Sequence, residues 1–182
     1  IFESGYYGKQ GHDNRFLIVD MKKRILFICL GNICRSPSAE AIMKYYLKER
    51  GLEEQYYIDS AGISGYHSGD SADRRMQSHA IRRGYDLTSL SRKFYPDADF
   101  SDFDMIIGMD DQNIRDLQRM ATSEEERNRI YKMTDFCQRF SYRDSVPDPY
   151  YGGESGFELV LDLLEDAVEG LLIYLNGKSY KG

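Results

Sequence analysis

The stretch ILFICLGNICRSPSAEAI, residues 25–42, decides the fold, because a strand pattern gives way to a helix pattern within it. Residues 25–30 are continuously apolar, which is typical of a strand buried on both faces of a sheet. After Pro37 the apolar residues recur with helical spacing, and Gly51 supplies a stop. These apolar residues are Ala39, Ile42, Met43, Tyr46 and Leu47. The stretch therefore predicts a strand, a loop and a helix in succession.

Strands and helices alternate along the rest of the chain. The predicted strands lie at residues 56–62, 103–110 and 129–133, and the predicted helices lie at residues 71–83 and 155–175. Asp110 or Asp111 can cap a helix that follows the second of these strands, and Ser155 with Glu158 fits a capping box. This alternation predicts an α/β fold with a mainly parallel sheet.

The composition limits the classes of protein to which the chain can belong. Its 182 residues, of which 41% are hydrophobic, are enough for one domain with one core. A net charge of −6 makes it a poor general binder of nucleic acid or anionic membrane, because it lacks a phosphate-neutralising field. No apolar run approaches the ~18 residues of a membrane span, so a cytoplasmic protein is expected.

The first twenty residues differ from the rest. Residues 1–20 lack clear periodicity and do not begin with Met, whereas a strand pattern follows Met21 at once. We expect residues 1–20 to be a leader or a disordered extension and residues 21–182 to form the single domain.

The cysteines and histidines do not predict a metal site. They are Cys29, Cys34 and Cys137, and His12, His67 and His79. Their spacing fits neither a secreted disulfide framework nor zinc, since no CxxC accompanies a His pair. We expect the histidines at loop or surface positions.

The loop CLGNICR has the spacing of an anion cradle. A loop of this length that closes onto a helix N-terminus can turn several backbone N–H groups toward one point, and Gly31 and Asn32 tolerate the positive φ that this requires. Arg35 adds a planar fork for two phosphate oxygens. The same electropositive field favours the thiolate of Cys29, with the Ser36 hydroxyl as candidate donor. The loop therefore predicts catalysis through a phosphocysteine.

Cys29 considered alone also fits a small buried hydrophobe at a strand end. The joint pattern of strand, C-x5-R, Gly-Asn, Ser-Pro and helix is much rarer, and it favours a function. Nucleoside triphosphate binding is disfavoured, since no Gly-Lys-Ser/Thr follows the loop.

Four segments resemble a known family in their residues and their order. FICLGNICRSPSAEAI is similar to the signature of the low-molecular-weight protein tyrosine phosphatases, and DSAGISGYHSGDSADRR, FDMIIGMDDQNIRDL and VPDPYYGG are similar to its later landmarks. The resemblance spans residues 22–175. It implies a three-layer sandwich, with a four-stranded parallel sheet flanked by helices and a phosphate-binding loop after the first strand. It also implies no metal or organic cofactor.

Asp148 is the candidate general acid. A leaving phenolate oxygen needs a proton, and Pro147 and Pro149 fix the backbone around Asp148. From the residues alone, an ordinary Asp-Pro turn is the other interpretation. The resemblance implies that Asp148 protonates the leaving oxygen and then acts as a base toward the water that hydrolyses phosphocysteine.

The resemblance implies roles for further residues. The loop and helix residues that bind the substrate phosphate are Leu30, Gly31, Asn32, Ile33, Cys34 and Ser36. Asn32 and Ser60 match polar residues that hold the loop in shape, and Tyr66, Tyr150 and Tyr151 match an aromatic rim that stacks on the substrate ring.

One position departs from the family pattern. Leu90 stands where many members have a His in a polar network behind the loop. We therefore expect a smaller network, or one that other residues complete.

The substrate class depends on a single loop residue. Ile33 stands where arginine phosphatases of the family usually have Thr. A β-branched apolar side chain at this position resembles the tyrosine-specific branch. Arginine phosphatase stays open as an alternative. So does arsenate reductase on the same fold, for which Cys137 is the only additional relay cysteine. A non-catalytic phosphotyrosine-binding module is disfavoured because Cys29, Arg35 and Asp148 are all present.

The expected partners follow from this function. They are a phosphotyrosine-containing protein as substrate and inorganic phosphate as product and inhibitor, with no nucleic acid. Exposed tyrosines near the site suit a monomer or a weak homodimer.

Cys34 suggests a redox role for the loop. It lies close enough in sequence for a disulfide with Cys29 to form under oxidation and shield the nucleophile from irreversible oxidation. The alternative is that Cys34 only packs.

Overall fold

The computed structural model describes residues 21–177. The strands are β1 (Lys23–Cys29), β2 (Tyr56–Gly62), β3 (Met105–Gly108) and β4 (Ile130–Lys132). The helices are α1 (Arg35–Glu49), α2 (Arg74–Arg82), α3 (Pro96–Asp102), α4 (Asp111–Met120), α5 (Glu124–Arg127) and α6 (Glu154–Leu175). Single turns of 3-10 helix lie at Glu53–Gln55 and Met133–Phe136. The predicted leader at residues 1–20 lies outside the described residues.

The four strands form one parallel sheet in the order β2-β1-β3-β4. This confirms the predicted four-stranded sheet. Since β1 lies between β2 and β3, the strand order reverses beside it, and ligands of such sheets bind beyond the carboxyl ends of the strands at this point. Cys29 is the last residue of β1 and therefore lies at this edge.

Side chains of β1 alternate between two layers of core. Ile25, Phe27 and Cys29 pack with α1, α2 and α6, whereas Leu26 and Ile28 pack with α3 and α4. All five are at most 3% exposed, as expected for a strand that is covered on both faces. The molecule is thus the predicted three-layer α/β sandwich.

Several elements are shorter than predicted, because capping side chains set their ends. The Asp110 carboxylate accepts the backbone N–H of Asn113 at 2.8 Å, so the chain leaves β3 before this residue and enters α4. Asp73 caps α2 in the same way, so that helix begins at Arg74 rather than at residue 71. The Asp110 cap was predicted and is confirmed.

Two predictions around α6 are wrong. The helix begins at Glu154 after Gly153, with no side-chain cap, so the capping box at Ser155 does not form. Glu158 instead binds His79 of α2 and Arg83, which directly follows α2, and this removes its carboxylate from the start of α6. His79 was expected at a loop or surface position, yet it is buried against α6, because this carboxylate supplies a partner for its ring nitrogen.

Short elements carry little periodic signal. No pattern predicts α3, since its seven residues are too few for an apolar repeat, although Pro96 at its start is a usable signal. No helix within residues 21–177 is long and apolar enough to cross a membrane.

Candidate active site

The loop between β1 and α1 depends on one left-handed residue. Asn32 has a φ of 55°, and within residues 21–177 it is the only non-glycine residue with a positive φ. Asparagine tolerates this region better than most residues do. The turn directs the Asn32 backbone N–H to Cys29 Sγ at 3.3 Å. The first turn of α1, which follows the loop, has no side-chain cap, so its N–H groups can serve an anion.

The sulfur of Cys29 has a hydroxyl neighbour. Ser36 Oγ lies 3.0 Å from Cys29 Sγ and accepts a hydrogen bond from Asn32 Nδ2 at 2.9 Å. The single hydrogen of Ser36 can therefore go to the sulfur or to the Ala61 carbonyl, which is farther away at 3.4 Å. A thiolate has no hydrogen to donate, so Ser36 donates to it. The Asn32 N–H and the Ser36 hydroxyl together stabilise the nucleophilic form of Cys29.

The side chain of Asn32 is fully bonded. Its Nδ2 donates to Ser36 and to Ser60 Oγ, each at 2.9 Å, and its Oδ1 accepts the Arg92 backbone N–H at 2.9 Å. Asn32 and Ser60 are each 2% exposed. They therefore lie behind the loop, where they fix its shape.

A buried carboxylate completes the network behind Ser60. Glu40 accepts hydrogen bonds from Ser60 Oγ at 2.5 Å, Ser89 Oγ at 3.0 Å and Lys44 Nζ at 2.6 Å. Leu90 is 61% exposed and takes no part in this network, so other residues complete it, which is one of the two expected outcomes. Successive side chains of an extended segment point to opposite sides, which sends Ser89 inward and Leu90 outward. Ser89 is thus the residue that completes the network.

Arg35 is held on several sides at the start of α1. It is 2% exposed, and its Nη1 donates to Asp110 Oδ2 at 2.6 Å and to the Val146 carbonyl at 3.1 Å. Its Nη2 donates to Asp148 Oδ2 at 3.3 Å. Burial lowers the pKa of Arg35, but the Cys29 thiolate and the two carboxylates outweigh it and raise this pKa above its ordinary value. The guanidinium is therefore a fixed positive charge beneath the loop.

The segment that carries Asp148 joins the same site at the carboxyl end of β3. The Val146 backbone N–H donates to the Met109 carbonyl at 2.9 Å, which attaches the segment to the end of β3. The backbone N–H of Tyr150 donates to Asp148 Oδ1 at 3.1 Å. The Asp148 side chain is 42% exposed, so it lies at the mouth of the site.

These residues surround one cavity of about 450 Å³. Its lining comprises Cys29, Leu30, Gly31, Ile33, Cys34, Arg35, Ser64, Tyr66, His67, Asp148, Tyr150 and Tyr151. Tyr66 and Tyr151 are almost fully exposed at the rim. Of the residues predicted from sequence, Asn32, Ser36 and Ser60 do not line the cavity, because they lie behind the loop.

The other two cysteines are chemically distinct from Cys29. Burial, and to a lesser degree Asp73, Cys29 and Asp148, raises the pKa of Cys34 far above its ordinary value. Burial and the nearby Asp166 raise the pKa of Cys137 to about 12. Both thiols are therefore protonated at neutral pH and are weak nucleophiles.

Sequence reasoning missed several residues of the site. The sequence predicts Asp110 only as a helix cap, although its place after a central parallel strand is a usable signal. Tertiary contacts bring three further residues behind the loop, namely Glu40, Ser89 and Arg92. No sequence pattern predicts these contacts. No sequence pattern assigns His67 to the site, yet its ring lies 3.2 Å from where a Cβ on Gly31 would stand.

Comparison with known proteins agrees with this geometry. Residues 24–181 match the family model described as low molecular weight phosphotyrosine protein phosphatase. A Streptomyces coelicolor low molecular weight protein-tyrosine-phosphatase is 38% identical over 84% of this chain and 93% of its own length.

Solved structures give the same result. An Entamoeba histolytica protein tyrosine phosphatase is 47% identical, with a TM-score of 0.82 over 87% of this chain and all of that one. A Drosophila arginine phosphatase is 30% identical, with a TM-score of 0.75 over 89% of this chain and all of that one. The matched family model, the similar sequences and the shared fold together place this chain in the low molecular weight phosphotyrosine protein phosphatase family.

Proposed function

We propose that this chain hydrolyses phosphotyrosine in proteins through a phosphocysteine on Cys29. One observation carries the proposal: a thiol, a buried guanidinium and a carboxylate converge on a single cavity that has an aromatic rim. Arg35 links them, since it lies beneath the loop and contacts Asp148 at 3.3 Å. This arrangement combines a nucleophile, a phosphate binder and a proton donor.

In the first step the Cys29 thiolate attacks the phosphorus atom. The S–P bond forms while the bond between phosphorus and the tyrosine oxygen breaks, and Asp148 gives its proton to the leaving oxygen. The backbone N–H groups of the loop and the Arg35 fork bind the phosphoryl oxygens, where negative charge concentrates. General acid catalysis of this kind typically contributes 10²–10⁴-fold.

In the second step water replaces the sulfur. Asp148, now a carboxylate, takes a proton from the attacking water, and the P–S bond breaks to release inorganic phosphate and the thiolate. Ser36 and the Asn32 N–H stabilise the departing sulfur at 3.0 and 3.3 Å. Inorganic phosphate binds the same cradle and is therefore also an inhibitor.

Features of the rim and the loop support a phosphotyrosine substrate. Tyr150 and Tyr151 meet edge to face with ring centroids 4.9 Å apart, and Tyr66 stands exposed at the rim. Aromatic faces of this kind suit a phenyl ring. Ile33 lines the cavity with an apolar side chain, which favours phosphotyrosine over phosphoarginine. The predicted state, a monomer or a weak homodimer, stays a prediction.

The test is phosphate release by the full chain from a phosphotyrosine peptide, compared with a phosphoarginine peptide. C29S is the matched variant, since it replaces one atom of the nucleophile. We expect release from phosphotyrosine that C29S abolishes. Faster release from phosphoarginine would overturn the substrate assignment. Binding without release by the parent chain would overturn the catalytic proposal.

A further inference from the structure

Arg75 lies between the two halves of the site, although it does not line the cavity. Its Nε and Nη2 donate to the two oxygens of Asp73 at 3.1 and 2.9 Å, and Nη2 also donates to the Tyr150 carbonyl at 3.0 Å. Its guanidinium carbon stands 5.4 Å from the ring centroid of Tyr150 and 5.0 Å from that of Phe157. One guanidinium thus connects α2 with the segment that follows Asp148.

On one side this connection reaches the phosphate loop. The Asp73 backbone N–H donates to the Ile33 carbonyl at 2.8 Å, and the Asp73 carboxylate caps α2. The partner of Arg75 is therefore bonded directly to the loop that binds the phosphate.

On the other side the connection reaches the candidate acid. Tyr150 receives Arg75 at its carbonyl and gives its own N–H to Asp148 Oδ1 at 3.1 Å. We propose that Arg75 is a positioning residue that holds the Asp148 segment against the phosphate loop, so that the acid stands at the leaving oxygen. This inference rests on the function proposed above.

The planar shape of the guanidinium, and not only its positive charge, lets Arg75 bind both partners at once. Nη2 carries two hydrogens, and the structure uses one for Asp73 and one for Tyr150, while Nε supplies the second bond to Asp73. A lysine has one nitrogen and cannot span both partners in a fixed plane. The same plane stacks on aromatic rings, which adds contact with Tyr150 and Phe157.

The helix that carries Arg75 is itself firmly attached. His79, one turn along α2, stacks on Phe157 with centroids 5.3 Å apart and binds Glu158 of α6 at 2.5 Å. Arg83, at the end of α2, binds the carboxylates of Glu158, Asp162 and Glu165. A position fixed on α2 is therefore fixed relative to the core.

The test measures how the loss in rate depends on the leaving group. R75Q and R75K are compared with R74Q, since Arg74 is an exposed neighbour on α2 whose side chain makes no hydrogen bond or ion pair with residues 21–177. The measured quantity is kcat/KM, which covers the steps up to leaving-group departure. The substrates are 4-nitrophenyl phosphate, whose leaving group needs little help, and phenyl phosphate, whose leaving group needs a proton.

We expect R75Q and R75K to lower kcat/KM about tenfold for phenyl phosphate and about twofold for 4-nitrophenyl phosphate, with R74Q unchanged. In a D148N background the effect of R75Q should disappear, because the group that Arg75 positions is gone. Equal losses for both substrates that persist in D148N would show a merely structural role and overturn the inference.

Two further outcomes are also decisive. If R75Q does not fold, as judged by circular dichroism, R75K carries the test, and parent-like rates in R75K would overturn the role of the fork. If D148N lowers kcat/KM equally for both substrates, the proposed role of Asp148 as the acid fails. That result is distinguishable from a failure of the proposed role of Arg75 alone.

Discussion

The carboxylate of Asp110 lies 2.6 Å from Nη1 of Arg35, and the other oxygen of that carboxylate accepts the backbone N–H of Asn113 at 2.8 Å. One side chain therefore caps α4 and fixes the direction of the Arg35 guanidinium. The position of Arg35 thus depends on where β3 ends.

This relationship predicts the effect of D110N. Arg35 is buried whereas the Asp110 side chain is 26% exposed, and the variant leaves the buried guanidinium with one carboxylate fewer, so we expect a loss of about 2 kcal/mol in the free energy of unfolding. We also expect kcat/KM to fall 10- to 100-fold, because a catalytic group misplaced by about 1 Å can cost ~10²-fold in rate. Urea unfolding and peptide dephosphorylation measure the two. D110A should lose about 1 kcal/mol more than D110N, since it also removes the cap. A D110N variant with parent-like kcat/KM would contradict this account.

The buried network behind the loop predicts an effect of E40Q. Both carboxylate oxygens of Glu40 accept hydrogen bonds, three in total. In E40Q one oxygen becomes an NH₂ group, which cannot accept a hydrogen bond and would lie against another donor. We expect a loss of about 1–3 kcal/mol in the free energy of unfolding, together with slower turnover. S89A, which removes one of the three bonds, should lose about 1 kcal/mol. Equal stability of E40Q and the parent chain would exclude a structural role for the network.

The raised pKa values of Cys34 and Cys137 predict selective alkylation. Both thiols stay protonated at pH 7, whereas Cys29 Sγ receives the Asn32 backbone N–H at 3.3 Å and lies 3.0 Å from Ser36 Oγ. Iodoacetamide at pH 7 should therefore modify Cys29 first, as read by mass spectrometry of the digested chain. Inorganic phosphate should slow the reaction because it covers the sulfur. Modification of Cys34 or Cys137 at the rate of Cys29 would refute this prediction.

The neighbouring thiol predicts recovery from peroxide. Peroxide converts the Cys29 thiolate to a sulfenic acid. Its nearness in the loop then lets the Cys34 thiol, despite its raised pKa, displace water to form a disulfide, which added dithiol reduces again. We expect the parent chain to recover its activity, and C34S to lose it irreversibly as Cys29 is oxidised further. C137S serves as the control. The hypothesis fails if C34S recovers as fully as the parent.

The contact between α2 and α6 predicts a dependence of stability on pH. Hydrogen bonds from His79 and Arg83 lower the pKa of Glu158 from its ordinary 4.5. As the pH falls, the unfolded chain takes up a proton here before the folded chain does. The contribution of Glu158 is thus present above pH 4.5 and is lost as the pH falls through the folded value.

The variant E158Q tests this dependence. Its free energy of unfolding should be lower than that of the parent chain at pH 7, and the difference between the two free energies should become smaller below pH 4.5. E154Q, which changes an exposed carboxylate at the start of the same helix, should show no such trend. A difference between E158Q and the parent that stays constant from pH 7 to pH 3 would contradict the assignment.

The sequence predicts those parts of this protein that local patterns encode. The apolar run before Cys29 and the helical spacing after Pro37 place the phosphate loop correctly, because burial on both faces and a helix start each leave a local pattern. The end of α2 near residue 83 is also predicted, because Gly84 follows it.

Contacts between distant segments leave no such pattern. Glu158 satisfies the rule for a capping box, but its carboxylate instead binds His79 on another helix and Arg83 directly after that helix. The network around Glu40 joins residues that lie 20 and 49 positions apart, so it exists only in the folded chain. Leu90 shows a related limit, since a displacement by one residue in an extended segment exchanges the inside for the outside.

Asn32 satisfies two independent requirements, a left-handed backbone and three side-chain hydrogen bonds. Aspartate tolerates the backbone but cannot donate to Ser36 and Ser60, whereas glycine adopts the backbone freely but has no side chain to bond. In the genetic code, aspartate lies one nucleotide from asparagine, and glycine lies two. The single-nucleotide change to aspartate therefore keeps the backbone conformation but loses both of the hydrogen bonds that the side chain donates.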